Sequence, residues 1–380
     1  MRKILKRIVM SLIWDKHRRE LQGDMRQMTK DHPELKKKES EKGEKQWLDY
    51  WSRFGWKTDL VYYRVFSKFI KPCKEILPWD ICRNFIEPIL NSGYTEWFYN
   101  DKNTLSQIIP HEWMPMVYLR SVAGKVYDHQ YFTPPCEALN DISSYIPQKD
   151  RKVVVKSVRD TGGRGFDVFK RDENGFFMNG KGDKLTIGYL NTVYKADWLI
   201  QEMAMQSEFT KQFNPTSLNT IRCITYRDVK TGEIHVLGSV LRIGCQGTVV
   251  DNASAGGSFV GIEDDGTLGK FACNHFGDKR SVFNDIDFSE NVFKMPNYNG
   301  VKRFAKEVTQ KVPHASILAL DIFLDDHNTP KLIEVNTHCL TVYFLQMTKG
   351  AFFGKYTEDV IEYCSKRIDR LSVLRIETYN

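Results

Sequence analysis

The chain of 380 residues carries no Cys-x-x-Cys pair, no internal repeat, no low-complexity tract and no uninterrupted apolar run long enough to span a bilayer. Its eight cysteines (73, 82, 136, 223, 245, 273, 339 and 364) are scattered. They read as reduced, mostly packed thiols rather than a disulfide frame or a zinc site, and for Cys339 packing is favoured over a reactive thiol. No Gly-Lys-Ser/Thr closes the densest glycine loop, so there is no Walker motif, and Gly-Gly-x-Gly is not the dinucleotide fingerprint. No convincing Ser-His-Asp or Cys-His set offers a covalent nucleophile. Charge of one sign is also scarce outside the N-terminus. Of the net +7, residues 1 to 45 supply fourteen Lys/Arg against eight Asp/Glu, and the nearly neutral body argues against a nucleic-acid groove.

What the sequence does hold is a pair of carboxylates in an apolar hairpin. Ser316 to Leu324 (SILALDIFL) and Lys331 to Asn336 (KLIEVN) flank Asp-Asp-His-Asn-Thr-Pro, which reads as a turn. Closing the turn with Leu324 opposite Lys331 and counting back places Asp321 across from Glu334, with Cβ atoms roughly 5 Å apart. Facing carboxylates destabilise a sheet unless positive charge lies between them. Asn336 adds an oxygen on the same face, so the pattern asks for a divalent cation, magnesium first and manganese as an alternative.

Magnesium takes few protein carboxylates and fills its octahedron with waters and substrate phosphates, which directs the search to a phosphate cradle. Val153-Val-Val-Lys156 is a short strand ending in a lysine, followed by Asp160-Thr-Gly-Gly-Arg-Gly165 and a returning Phe166-Asp-Val-Phe169. Gly162, Gly163 and Gly165 permit the backbone angles that let amides converge on an anion, and Lys156 and Arg164 supply charge. An ordinary glycine hairpin has the same composition. Arg222 and Arg242 lie in β-rich segments whose alternation can aim both at one cleft, where a guanidinium would meet charge developing in a transition state. Surface ion pairing is the other reading of both. Asp251, Asn252 and Ser254, in a small polar loop ending at Gly257, are candidates to orient a second substrate or the γ-phosphate, and a solvated hairpin turn has the same makeup. His338 is left as a structural residue.

Upstream, Ile4, Leu5, Ile8, Val9, Leu12 and Ile13 recur at helical spacing among Lys3, Lys6, Arg7 and Lys16. The segment is expected to be retained, since it lacks a signal-peptide cleavage site. Packing on its own protein or a partner is favoured over an interfacial helix on anionic lipid through residues 1 to 16. Residues 1 to 46 are therefore a basic helix and connector, and 47 to 100 an aromatic-rich helical unit. A first α+β unit is expected over 101 to 195 and a second over 196 to 380, giving an α+β fold.

Taken in order, Asp101-Lys102, the Val-Val-Val-Lys156 strand with Gly-Gly-Arg-Gly, Trp198-Leu-Ile-Gln-Glu202, Asn214 to Arg222, Leu241-Arg-Ile-Gly244, Val250-Asp-Asn252 with Gly256-Gly257, Asp321 and Ile333-Glu-Val-Asn336 resemble the ATP-grasp superfamily. Within it they resemble the branch associated with sugar transfer, over roughly the C-terminal two thirds of the chain. The resemblance implies two α+β subdomains closing on ATP. Lys102 and Lys156 would serve as the nucleotide-binding lysines, and Gln201, Glu202, Met203, Ala204 and Met205 as the adenine hinge. Glu208 would accept from the ribose, with Gln206 as its alternative, and Asp321, Glu334 and Asn336 would hold the metal. One departure concerns the arginine that many such ligases carry two residues before the metal aspartate. Here Ala319 stands there, so either Arg242 substitutes or the intermediate is stabilised differently.

The implied reaction is ADP-forming ligation of a carboxylate and an amine through an acylphosphate, in a cytoplasmic enzyme, in contact with the inner face of the membrane or not. Its substrates would be small or sugar-linked precursors of a bacterial surface polysaccharide. A hydroxyl acceptor would make the same site a kinase, and binding without turnover a scaffold.

Overall fold

A computed structural model describes residues 2–36, 42–91, 98–135, 139, 141–158, 165–248 and 256–371. The N-terminal part is helical: α1 (Arg2–Asp31), α2 (Lys42–Trp51), α3 (Leu60–Phe66) and a helical stretch over 79–90 with a π-turn at Cys82–Ile86. In α2, Trp47 and Trp51 fall one turn apart and are both fully buried. Their indole N–H groups donate to the carbonyls of Ile76 (2.6 Å) and Lys74 (3.0 Å), so these aromatics enter the core without an orphaned donor. Asp59 starts α3 by accepting from the Val61 amide, and the helix buries Val61, Tyr62, Val65 and Phe66.

Two antiparallel sheets follow. The first contains β1 (Val117–Val122), β2 (Lys125–Asp128), β3 (Lys152–Ser157), β4 (Phe166–Arg171), β5 (Phe177–Met178) and β6 (Trp198–Glu202), in the order β2-β1-β6-β3-β4-β5. The helix α4 (Lys102–Ile108), capped by Asp101, precedes it. Because β6 pairs with both β1 and β3, the first sheet runs to Glu202, and the expected boundary before Ala196 cuts through its centre. Trp198, Leu199 and Ile200 are apolar on both faces and fully buried, as an internal strand requires.

The second sheet is built from β7 (Ile221–Arg227), β8 (Ile234–Ile243), β9 (Ser258–Ile262), β10 (Leu268–Cys273) and β11 (Lys279–Arg280), with a small ribbon of β12 (Val282–Phe283) and β13 (Ile286–Asp287) beside it. It is completed by β14 (Ile317–Leu324) and β15 (Pro330–Asn336), in the order β11-β10-β9-β8-β7-β14-β15. One face takes α5 (Tyr298–Gln310), whose Val301, Phe304, Ala305 and Val308 repeat at helical spacing against Leu318, Leu320, Ile322 and Leu324. The other face, through Ile224, Tyr226, Val240, Phe259, Ile317 and Ala319, shares one core with the N-terminal helices and with α6 (Val342–Gln346) and α7 (Thr357–Ser365). The helical N-terminal part is thus a layer of the second unit. All eight residues of β14 are buried between these layers, which explains its unbroken apolar sequence around a single charge, Asp321.

Asn91, fully buried at the end of the 79–90 helical stretch, ties these layers together. Its Nδ2 donates to the carbonyls of Ile317 and Thr337, both at 2.6 Å, and its Oδ1 accepts from the amides of Ser316 (2.9 Å) and Ile317 (3.1 Å). That is the full capacity of a carboxamide. Asn91→Ala should therefore lower the unfolding free energy by about 3 kcal/mol, since it takes this partner from the amide and carbonyl of Ile317 and the carbonyl of Thr337, and equilibrium urea denaturation measures the loss.

Candidate functional site

The carboxylate hairpin forms with one adjustment. Asp325 accepts from the amides of His327 and Thr329, and this tightens the turn so that Leu324 closes on Pro330 and Phe323 faces Lys331, one residue short of the expected pairing. A β-bulge between Asp321 and Ile322 then absorbs Ile333, and Asp321 faces Glu334.

On its other side Asp321 pairs with Arg222 of β7. The contact is two-pronged: Arg222 Nε donates to Oδ1 at 2.5 Å and Nη2 to Oδ2 at 2.8 Å. Arg242 lies on β8 two residues beyond Val240, the partner of Arg222, and so on the same face. Its Nη1 donates to Asp321 Oδ2 at 3.1 Å. Burial would push the Asp321 carboxyl up, but the attraction of Arg222 and then Arg242, with their hydrogen bonds, holds it below the usual carboxylate value. Guanidinium groups thus supply positive charge to Asp321, one of the two facing carboxylates, in this structure.

Glu334, partly exposed, lies 3.9 Å from Lys102 Nζ. Lys102 is the first residue of α4, and its Nζ also donates to the Val158 carbonyl at 3.4 Å, which brings it beside the end of β3. Lys156, the last residue but one of that strand, has its ammonium pushed down to about 8, first by removal from water and next by the charge of Lys102, while Glu334 pulls the other way. Lys102, Lys156, Gln201, Leu199, Leu332 and Ile333 line a narrow cleft between the two sheets, with about 30 Å³ of open space. That is room for a water or two, so anything larger requires the sheets to separate.

Four cationic side chains thus meet two carboxylates, an excess of two positive charges suited to a polyanion. The oxygen donors suit a hard cation as well. An ionised carboxylate offers about four acceptor positions, and the guanidinium N–H groups use three at Asp321, leaving about one on Oδ1. Asn336 is oriented by its Nδ2, which donates to the Ala319 carbonyl at 3.1 Å. Among the described residues no three His, Cys, Asp or Glu side chains gather into a metal cluster; the set available is Asp321 and Glu334 with the Asn336 amide oxygen.

Other sequence candidates lie elsewhere. Glu208 turns to solvent and pairs with Lys211 at 2.8 Å, and Gln206 spends both ends of its amide on Asn214, Ser217 and Asn219. Neither is drawn into the cluster, because the short helix after Ser207 is held by its own cap. Gln201 and Glu202 belong to β6, with Gln201 buried in the cleft wall; Met203 and Ala204 continue past the strand, and Met205 is exposed. Gly165 has φ of 64° and its carbonyl accepts from Ser157, closing the β3–β4 hairpin. Gly162, Gly163, Arg164, Asp251, Asn252 and Ser254 lie outside the described residues. Ala319 is fully buried. Cys339, expected to be packed, is exposed, because the chain turns there with φ of 53°.

Two contributors carry no motif. Thr341 Oγ1 accepts from Arg222 Nη1 at 3.3 Å, in a left-handed conformation with φ of 53°. Buried Glu87 accepts from the Leu340 amide at 3.0 Å and fixes that turn from the N-terminal layer. A pair of positive φ values without glycine is invisible to sequence patterning, and so is a contact across more than 250 positions. Arg222→Met leaves Asp321 poorly compensated and should destabilise the protein by about 3 kcal/mol or more. Adding Asp321→Asn should recover part of that, giving a coupling of at least about 1 kcal/mol in a double-mutant denaturation cycle.

Residues 83–360, well over half of the chain, match the family described as sugar-transfer associated ATP-grasp. No curated protein matches. Among solved structures the chain is similar to N5-carboxyaminoimidazole ribonucleotide synthetase from Thermotoga maritima, at 11% identity over 70% of this chain and 50% of that one, TM-score 0.37. It is also similar to D-alanine–D-alanine ligase from Bacillus anthracis, at 14% identity over 71% and 68%, TM-score 0.37. A third is L-amino acid ligase from Bacillus licheniformis, at 12% identity over 72% and 49%, TM-score 0.38. The chain spans about half the length of the first and third of these. Such distant likenesses carry no functional weight, and the assignment rests on the family match: this chain belongs to the sugar-transfer associated ATP-grasp family and has its α+β ATP-grasp fold, with a helical N-terminal layer added.

Proposed function

We propose that the chain is an ATP- and magnesium-dependent, ADP-forming ligase that joins a carboxylate to an amine, acting on small or sugar-linked precursors of a bacterial surface polysaccharide. The observation that carries this reading is the clasp of Arg222 and Arg242 on Asp321, next to Glu334, Lys102 and Lys156, in a member of the ATP-grasp family. The polysaccharide context rests on the family's association with sugar transfer and on no single residue.

In this reading Lys102 and Lys156 receive the nucleotide phosphates, and the segment from Gln201 to Met205 borders the adenine. Asp321, Glu334 and Asn336 would hold magnesium, which supplies charge neutralisation at the phosphates. The substrate carboxylate oxygen attacks the γ-phosphorus and ADP departs. The amine nitrogen then attacks the acyl carbon, loses a proton, and phosphate leaves. Arg222 and Arg242, already fixed by Asp321, meet the charge that builds on the transferred group without reorganising. No residue bonds covalently to substrate, so the chain contributes position and charge.

Purified protein given ATP, magnesium, pooled amino acids and sugar acids should release ADP and phosphate only when both a carboxylate and an amine are present. Glu334→Gln, a change at a partly exposed position, should abolish turnover while leaving the melting temperature near that of the parent. ADP without phosphate and a stable phosphorylated product would instead indicate a kinase, and nucleotide binding without turnover a scaffold.

The Lys156 ammonium gives a pH test. Phosphate binding favours its charged form, so affinity for a non-hydrolysable ATP analogue should weaken as pH rises through about 8. Lys156→Arg, charged throughout, should flatten that dependence in a fluorescence titration.

A further inference from the structure

The helix α1 has two apolar faces, and the body of the protein covers one. Trp14, Leu21, Met25 and Met28 recur at helical spacing. Leu21, Met25 and Met28 are buried, and the Trp14 ring sits 5.7 Å from Trp56 and 5.1 Å from Phe85. An ion pair of 2.7 Å between Glu20 and Arg83 reinforces the same docking. Ile8 and Leu12 lie on a different line. At about 100° per residue Leu12 falls about 160° round the helix from Trp14, and Ile8 sits one turn before Leu12 on the same stripe. They are 52% and 60% exposed, so this stripe does not pack on the protein's own body as the sequence reading favours.

The charge around this stripe identifies what covers it. Residues 1 to 19 contain seven Lys/Arg (2, 3, 6, 7, 16, 18 and 19) and one acid, Asp15, while the remainder of the chain is close to neutral. Two exposed apolar side chains on a helical segment whose sequence is this basic match the chemistry of an anionic bilayer surface. A second copy of the chain would bring two strongly basic helices together, and a nucleic acid would make no use of Ile8 and Leu12. Among the described residues no helix is long and apolar enough to cross a membrane, so the helix would lie along the interface.

We propose that the N-terminal third of α1 rests on anionic lipid, while Trp14 to Met28 lock it rigidly to the body, so that the protein works at a membrane surface. The inference is independent of the ligase reading, because its test needs no turnover. The full chain should co-sediment with vesicles of phosphatidylcholine and phosphatidylglycerol but hardly with phosphatidylcholine alone, and added salt should weaken the binding. Ile8→Asp/Leu12→Asp should reduce partitioning about tenfold or more, with an unchanged melting temperature because both positions are exposed. Lys6→Glu/Arg7→Glu should do the same by charge alone. Equal binding to both vesicle types, or no effect of either double substitution, overturns the proposal. So does a dimer in sedimentation velocity that Ile8→Asp/Leu12→Asp dissolves, since a second copy would then cover the stripe.

Discussion

The candidate site depends on a carboxylate buried in the centre of a sheet and held there by two arginines. Asp321 is the only charged residue of β14, a strand with apolar layers on both sides, and it would be costly there without compensation. Arg222 from the adjacent strand and Arg242 from the strand beyond supply it. The arrangement works in both directions. Asp321 keeps its charge in the interior, and the two guanidinium groups are held in place before any ligand arrives, which is the condition for electrostatic stabilisation without reorganisation.

The surrounding fold makes that clasp rigid. The face of the second sheet that carries Asp321 continues beneath the N-terminal helices, so the aromatic layer around Trp47, Trp51 and Phe85 shares its core with the strands that position the site. Asn91 fastens the end of this layer to β14 and to the residue following β15, and Glu87 fixes the turn that places Thr341 against Arg222. On the opposite side, Lys102 and Lys156 come from the first sheet and its preceding helix. The positive charge of the site is therefore divided between two sheets, with only a narrow space between them.

Much of this was legible in the sequence, for reasons that differ by element. The hairpin of β14 and β15 announced itself because two apolar runs flank a turn of Asp, Asn and Pro, and the facing of Asp321 and Glu334 survived an error in the closing pair because a bulge restored the register. Alternation allowed Arg222 and Arg242 to face one cleft, and the pairing of Arg222 with Val240 puts them on one face. What alternation could not show was that they would point at Asp321, since that requires knowing that β7 lies next to β14, a pairing across nearly a hundred residues. The same limit hid Glu87 and Thr341. The place of β6 in the first sheet is not legible because strand order is a long-range property. Cys339 followed the usual preference of cysteine for the interior until a left-handed turn exposed it.

The central claim is that the cationic cluster around Asp321 and Glu334 binds a nucleotide and a divalent metal together. Electron paramagnetic resonance of manganese, titrated into the protein with and without a non-hydrolysable ATP analogue, tests it most directly. The account predicts a bound signal, one metal per chain, that requires the nucleotide and is broadened by its phosphorus nuclei. A spectrum identical to that of the manganese–nucleotide complex without protein would contradict it.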